Sequence, residues 1–137
     1  MNKTSRARAL LGLMQLGSAA CADDTDKLSC DERATAALDD TVAALKSLDQ
    51  SCTTDADCTT VSGDTKCNAG CTPKHAVSLT GAKNASTMLE AINQHWCRDF
   101  STPPEKSGCE TLVAGCDEPG YMARCVSNAC AINTAAH

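Results

Sequence analysis

Two stretches of this chain carry apolar side chains at helical spacing. In the first, Ala34, Leu38, Val42, Leu45 and Leu48 recur every three or four residues with Asp, Lys and Ser between them, which predicts an amphipathic helix ending near Asp49. Ser29, followed three residues later by Glu32, forms a capping box for its first turn, so folded structure is expected to begin at Ser29. In the second, Ala85, Met88, Leu89, Ile92 and Trp96 line one face running into Cys97. Asn84 or Ser78 is available as its cap, and Gly81 argues against the earlier start. Between these helices the period shortens. Cys58-Thr59-Thr60-Val61 reads as a strand and Ser62-Gly63-Asp64 as its reversal, since Gly tolerates positive φ and Asp can bond its own backbone. Near the end, Pro119-Gly120 suits a type II turn, and residues 121–126 and 129–132 flank Ser127-Asn128 as a hairpin. In the register of a two-residue turn, Cys125 and Cys130 share one face. A bond from each to a helix or to the cysteine-rich loop is favoured over a direct bridge, because it fastens the hairpin to something. The expected fold is a small disulfide-rich α+β domain, two helices packed on a short antiparallel sheet with a C-terminal hairpin.

The first twenty residues carry a different pattern. Lys3, Arg6 and Arg8 precede the apolar run Leu10-Leu11-Gly12-Leu13-Met14-Gln15-Leu16, and Ser18-Ala19-Ala20 follow it. That order of charge, short apolar core and small residues is expected of an export signal, and the run is too short to span a bilayer. Ala19-Ala20-Cys21 resembles the lipobox of bacterial lipoproteins, which implies cleavage before Cys21 and acylation of its thiol. The chain is then read as a signal peptide over 1–20, an acidic tether over 21–28 and a cysteine-rich domain over 29–137.

Of the eleven cysteines, ten remain after Cys21: Cys30, Cys52, Cys58, Cys67, Cys71, Cys97, Cys109, Cys116, Cys125 and Cys130. An even set of exported thiols is read as five disulfides. Spacing leaves the connectivity open among about 945 pairings. One pair is excluded on geometry: Cys30 and Cys52 bracket a helix about 27 Å long, against the roughly 5.5 Å between Cα atoms of a bridge. Phe100, Trp96 and Tyr121 are the only aromatic residues. So few large apolar groups make cross-links, each contributing about 2 to 4 kcal/mol, the expected main stabilisers.

The whole chain has a net charge of −5, and removing the leader makes it more acidic. Asp23, Asp24, Asp26, Asp31, Glu32, Asp39, Asp40 and Asp49 concentrate in its first third. No cluster of Lys and Arg offers the counterion-releasing surface that nucleic acid requires. Thioredoxin-type exchange needs two cysteines separated by two residues, and no pair here has that spacing. Cys67, Cys71 and His75 fall at intervals of four, as zinc ligands can, but export favours their oxidation, and no metal or other cofactor is expected. Asp55-Ala56-Asp57 lacks the glycine-turned loop and downstream glutamate of a calcium site, so an Asx-turn role is expected. Neither Gly-x-Ser-x-Gly nor His-Glu-x-x-His occurs. His95 and Asp99 are the residues a small extracellular hydrolase would use. The loop from Pro103 to Cys109 exposes Lys106-Ser107 beside a cysteine, as a protease inhibitor would, although its composition favours a plain connector.

Cys52-Thr53-Thr54-Asp55-Ala56-Asp57-Cys58, then Cys67 and Cys71, Pro73 with Ala76-Val77, Cys97 after a helix, and Cys125-Val126-Ser127-Asn128-Ala129-Cys130 together resemble the uncharacterised cysteine-rich exported lipoproteins of myxobacteria. The resemblance implies location and architecture, not an activity. The function expected is that of a non-enzymatic binding or structural protein, secreted or surface-anchored. Its partner would be a protein or surface ligand, with membrane association only through lipid on Cys21. The location would be the outer membrane or cell surface, or otherwise periplasmic or extracellular.

Overall fold

The computed structural model describes residues 24–104, 108–115 and 120–134. A 3-10 turn, Asp24–Lys27, precedes helix α1, Cys30–Ser47. The capping box forms: the Glu32 amide donates to Ser29 Oγ at 3.3 Å and the Ser29 amide donates to Glu32 Oε2 at 2.9 Å. Within the stretch read as an acidic tether, Thr25 is buried and Asp26 pairs with Arg98 at 2.5 Å.

The face that α1 buries is Ala34, Ala37, Thr41, Leu45 and Leu48. Leu38, expected on that face, is 37% exposed and Val42 is half-buried. Small residues along the contact let α1 and helix α2 (Leu79–Trp96) approach closely. Beneath them lie two apolar clusters. One joins Ala34, Ala37, Ile92 and Phe100 to the sulfurs of Cys67, Cys97 and Cys109; the other joins Leu45, Leu48, Val77 and Ala85. Trp96 flanks the first cluster half-buried and donates from Nε1 to Asp40 Oδ2 at 2.7 Å.

Helix α2 starts at the earlier of the two expected caps. Ser78 Oγ accepts from the Gly81 amide at 2.9 Å. Gly81 does not delay the start; it permits it, because a Cβ there would lie 2.4 Å from the Asp49 carbonyl oxygen. The absent side chain lets the first turn of α2 pass directly over the end of α1.

Strand β1, Cys58–Ser62, pairs antiparallel with β3, Lys74–Ser78, in register from Cys58↔Ser78 to Ser62↔Lys74. The reversal is therefore not made at 62–64 but by the whole segment 63–73, which contains β2, Asn68–Gly70. Two further ladders are parallel and only two or three residues long. β2 pairs with β6, Leu112–Ala114, and β4, Phe100–Ser101, pairs with β5, Cys109–Glu110. Gly70, at φ +93°, is required where β2 meets β6, since a Cβ would fall 2.0 Å from the Ala114 oxygen.

The terminal hairpin comprises β7, Tyr121–Val126, and β8, Ala129–Thr134, paired from Tyr121↔Thr134 to Val126↔Ala129. Ser127 and Asn128 both have positive φ, 51° and 63°, the backbone of a type I′ turn. This hairpin packs on β1 and β3. The result is α+β and disulfide-rich, with two helices, an antiparallel pair of strands packed against α2, and a C-terminal hairpin.

Candidate functional site

The disulfides join parts of the chain that are far apart in sequence. Cys30 bonds Cys109, Cys52 bonds Cys125, Cys58 bonds Cys130 and Cys67 bonds Cys97, with sequence separations of 79, 73, 72 and 30. Cys71 is also disulfide-bonded. Cys21 and Cys116 lie outside the described residues. Since Cys67 and Cys71 are in bridges, they cannot supply the thiolates that a zinc site with His75 needs.

The two hairpin bridges sit side by side. Cys125 and Cys130 are opposite each other in the β7–β8 register and do not bond each other; each reaches the segment 52–58. Backbone bonds run parallel to them: the Cys52 amide donates to the Asn128 oxygen at 3.2 Å and the Cys130 amide to the Gln50 oxygen at 2.7 Å. Asp55 adds a third tie, accepting from the Cys125 amide at 2.9 Å and lying 3.7 Å from the Arg124 guanidinium.

Beside this node opens a polar cleft of about 350 Å³, bounded by Asp49, Ser51, Cys52, Asp57, Ser78 and Thr80. It lies where the end of α1, the 3-10 turn Asp55–Asp57 and the first turn of α2 converge. Its carboxylates are committed to the loop. Ser78 Oγ donates to Asp49 Oδ2 at 2.6 Å, and the Ser51 hydroxyl and amide donate to Oδ1 at 2.8 Å and 3.2 Å. These bonds, that from Ser78 foremost, hold the Asp49 carboxyl below its ordinary value. The Thr54 and Thr53 amides, both donating at 2.8 Å, do the same for Asp57. Asp57 thus orders the turn before Cys58, with Thr54 rather than an Asx residue at its cap, while the Asp55 side chain reaches the hairpin.

Sequence reasoning missed Arg33. It is 5% exposed, and its guanidinium donates from Nε and Nη2 to the Trp96 carbonyl at 3.0 Å and 2.7 Å. The same group pairs bidentately with Asp99, and its Cζ lies 5.3 Å from the Phe100 ring centroid. Arg33 therefore closes the C-terminal end of α2 from the first turn of α1. That engagement by Arg33 holds the Asp99 carboxyl below its ordinary value. His95 is exposed and packs edge-on against Trp96, ring centroids 4.4 Å apart. The hydrolase reading would use Asp99 to orient a base, whereas here Asp99 faces Arg33. Lys106 and Ser107, the bond an inhibitor would present, and Pro119 of the expected type II turn lie outside the described residues.

Apolar side chains are exposed on the outer face of the hairpin. Met122 and Val126 are 47% and 56% exposed, with Arg124 between them along β7. Leu112 and Val113 of β6 are exposed as well.

Comparison with family models, curated proteins and solved structures found no match. Among the described residues no helix is long and apolar enough to cross a membrane. The number of bridges is that of a chain folded in an oxidising environment.

Proposed function

We propose that this protein is an exported, surface-anchored, non-enzymatic binding module of the myxobacterial lipoprotein type, held to the membrane through Cys21 and presenting the outer face of the C-terminal hairpin to a protein partner. The observation that carries this reading is the double fastening of an exposed hairpin. Two adjacent bridges tie it to residues 52 and 58, so Met122, Arg124 and Val126 are held on a rigid surface at little entropic cost to binding. Met and Arg are residue types that protein interfaces favour, and paired exposed apolar side chains on a small rigid strand suit an interface better than bulk solvent.

Two measurements test it. Intact mass of the protein from its native host is expected to show a lipid adduct on Cys21 and no thiol reactive to alkylation without reductant; most sites reacting while the fold persists would overturn the exported disulfide reading. A photo-crosslinking residue at position 122, in intact cells, is expected to give one dominant protein adduct. Excess wild-type protein should compete it away, and the Arg124→Glu/Val126→Asp variant should not. Equal competition by both proteins, or no adduct, sinks the binding face.

A further inference from the structure

We propose that the paired hairpin bridges form a thiol–disulfide exchange site, at which a small thiolate switches Cys52–Cys125 and Cys58–Cys130 to Cys52–Cys58 and Cys125–Cys130. The sulfurs of Cys52, Cys58 and Cys125 all lie within 4.8 Å of one another although only two of them are bonded. All three residues are half-buried, not sealed. The fourth sulfur belongs to Cys130, directly opposite Cys125 across the hairpin. Because the Cys125 amide donates to Asp55 and the Cys130 amide to Gln50, neither bonds the facing strand. Such a pair in an antiparallel ladder has Cα atoms about 4.5 Å apart, inside the range a bridge accepts.

The exchange closes without an oxidant or reductant. An incoming thiolate attacks Cys125 Sγ, forming a mixed disulfide and expelling the Cys52 thiolate. Cys52 attacks Cys58 Sγ, forming Cys52–Cys58 and expelling the Cys130 thiolate. Cys130 then attacks Cys125 Sγ in the mixed disulfide, forming Cys125–Cys130 and returning the small thiolate. Each step makes one S–S bond and breaks one, and the proton lost when the thiol ionises is regained when it leaves. Both new bonds are internal to their own segments, so the hairpin loses its disulfide ties to the segment 52–58 and is held there by its packing on β1 and β3, by backbone bonds and by Asp55. The Cys67–Cys97 bridge, by contrast, has both its cysteines fully buried. The switch does not depend on what the hairpin binds.

The sequence supplies the assay. Trypsin cuts after Lys46, Lys66 and Arg124 and finds no site between 47 and 66 or between 125 and 137. In the native protein the fragments 47–66 and 125–137 are therefore joined, and after the exchange each is free with its own internal bridge. The full-length oxidised protein is incubated with substoichiometric reduced glutathione, quenched in acid, alkylated and digested. The expected result is release of both fragments as unalkylated internal disulfides, at least about tenfold faster than any loss of Cys67–Cys97, because exchange rates follow access. The Cys58→Ser/Cys130→Ser variant, which lacks the second bridge, should release neither as a looped fragment. Fragments that stay joined, or all bridges scrambling at one rate, would overturn the proposal.

Discussion

The helical half and the hairpin half of this molecule use the same bond for different purposes. Around α1 and α2, sulfur is core material: Cys67, Cys97 and Cys109 are buried with Ala34, Ala37, Ile92 and Phe100, and removing any of them would leave a hole. Around β7 and β8 the sulfur is a tether. Exposure alternates along β7 between half-buried and open, and the strand buries too little apolar surface to stay docked by burial alone. A chain with so few large side chains can therefore be built in two ways at once, with bridges filling a core of alanines and bridges substituting for one.

Deleting bridges should separate the two uses. The Cys67→Ala/Cys97→Ala variant opens a loop of separation 30, costing about 4 kcal/mol in chain entropy, and adds a cavity where both sulfurs were sealed. Against a total stability of about 5 to 15 kcal/mol, we expect helical far-UV circular dichroism to be lost on mild heating. The Cys58→Ala/Cys130→Ala variant behaves otherwise. With Cys52–Cys125 still in place, the second bridge closes a ring of only about a dozen residues, so its removal costs about 3 kcal/mol. The loss should appear as faster amide exchange in β7 and β8 with the helices unchanged. Identical unfolding of both variants would show that the halves are one cooperative unit.

The next effect belongs to the helical half alone. Asp99→Ala leaves the Arg33 guanidinium buried without its carboxylate. A fully buried pair broken this way costs about 3 to 5 kcal/mol. The Asp99 side chain is 41% exposed, so solvent moderates the loss to about 2 kcal/mol. Arg33→Met in the same chain removes the stranded charge and fills the space beside Phe100, and it should restore about half of that in thermal denaturation. A double variant weaker than Asp99→Ala would mean that the bonds from Arg33 to the Trp96 carbonyl, not the ion pair, hold the end of α2.

How much of this was legible in the sequence follows the range of the interaction. Ser29 with Glu32 and Ser127-Asn128 act on backbone within four residues of themselves, and α1 and the hairpin could be read from them. The stripe from Ala85 to Trp96 gave α2, but its start at Ser78 was obscured by Gly81, whose close approach to Asp49 is a long-range contact. The buried face of α1 could not. Apolar character points to Leu38 and Val42, but Ala37 goes inward to the cluster with Ile92 and Thr41 goes inward over Gly63, neighbours that local sequence does not reveal. Arg33 was illegible for the same reason: its burial depends on a carbonyl and a carboxylate more than sixty residues away. The parallel pairs β2–β6 and β4–β5 are too short to leave a period in the sequence. Connectivity of the cysteines, on which the exchange site depends, is set by how the hairpin docks and not by spacing.

The smallest effect lies at the cleft where the end of α1 meets the first turn of α2, and acid reveals it. Ser78 both caps α2 through the Gly81 amide and donates to Asp49, so Ser78→Ala should cost about 1 kcal/mol near neutral pH through the cap. Asp49 has a carboxyl lowered from 3.8, with Ser78 as the first cause. A carboxyl lowered on folding contributes stability that is fully present above its unfolded value and is lost as pH falls through the folded one. In the wild-type protein that contribution fades below pH 3.8. In the variant much of it is missing at every pH. The difference in stability between the two should therefore be greatest above 3.8 and shrink on acidification, read as converging denaturant midpoints. Because Glu32, Asp57 and Asp99 are lowered by other partners, the stability they lose on acidification is the same in both proteins and cancels from that difference. A gap that stays constant with pH would assign the whole effect to the helix cap and leave Asp49 without a part in holding the start of α2 to the end of α1.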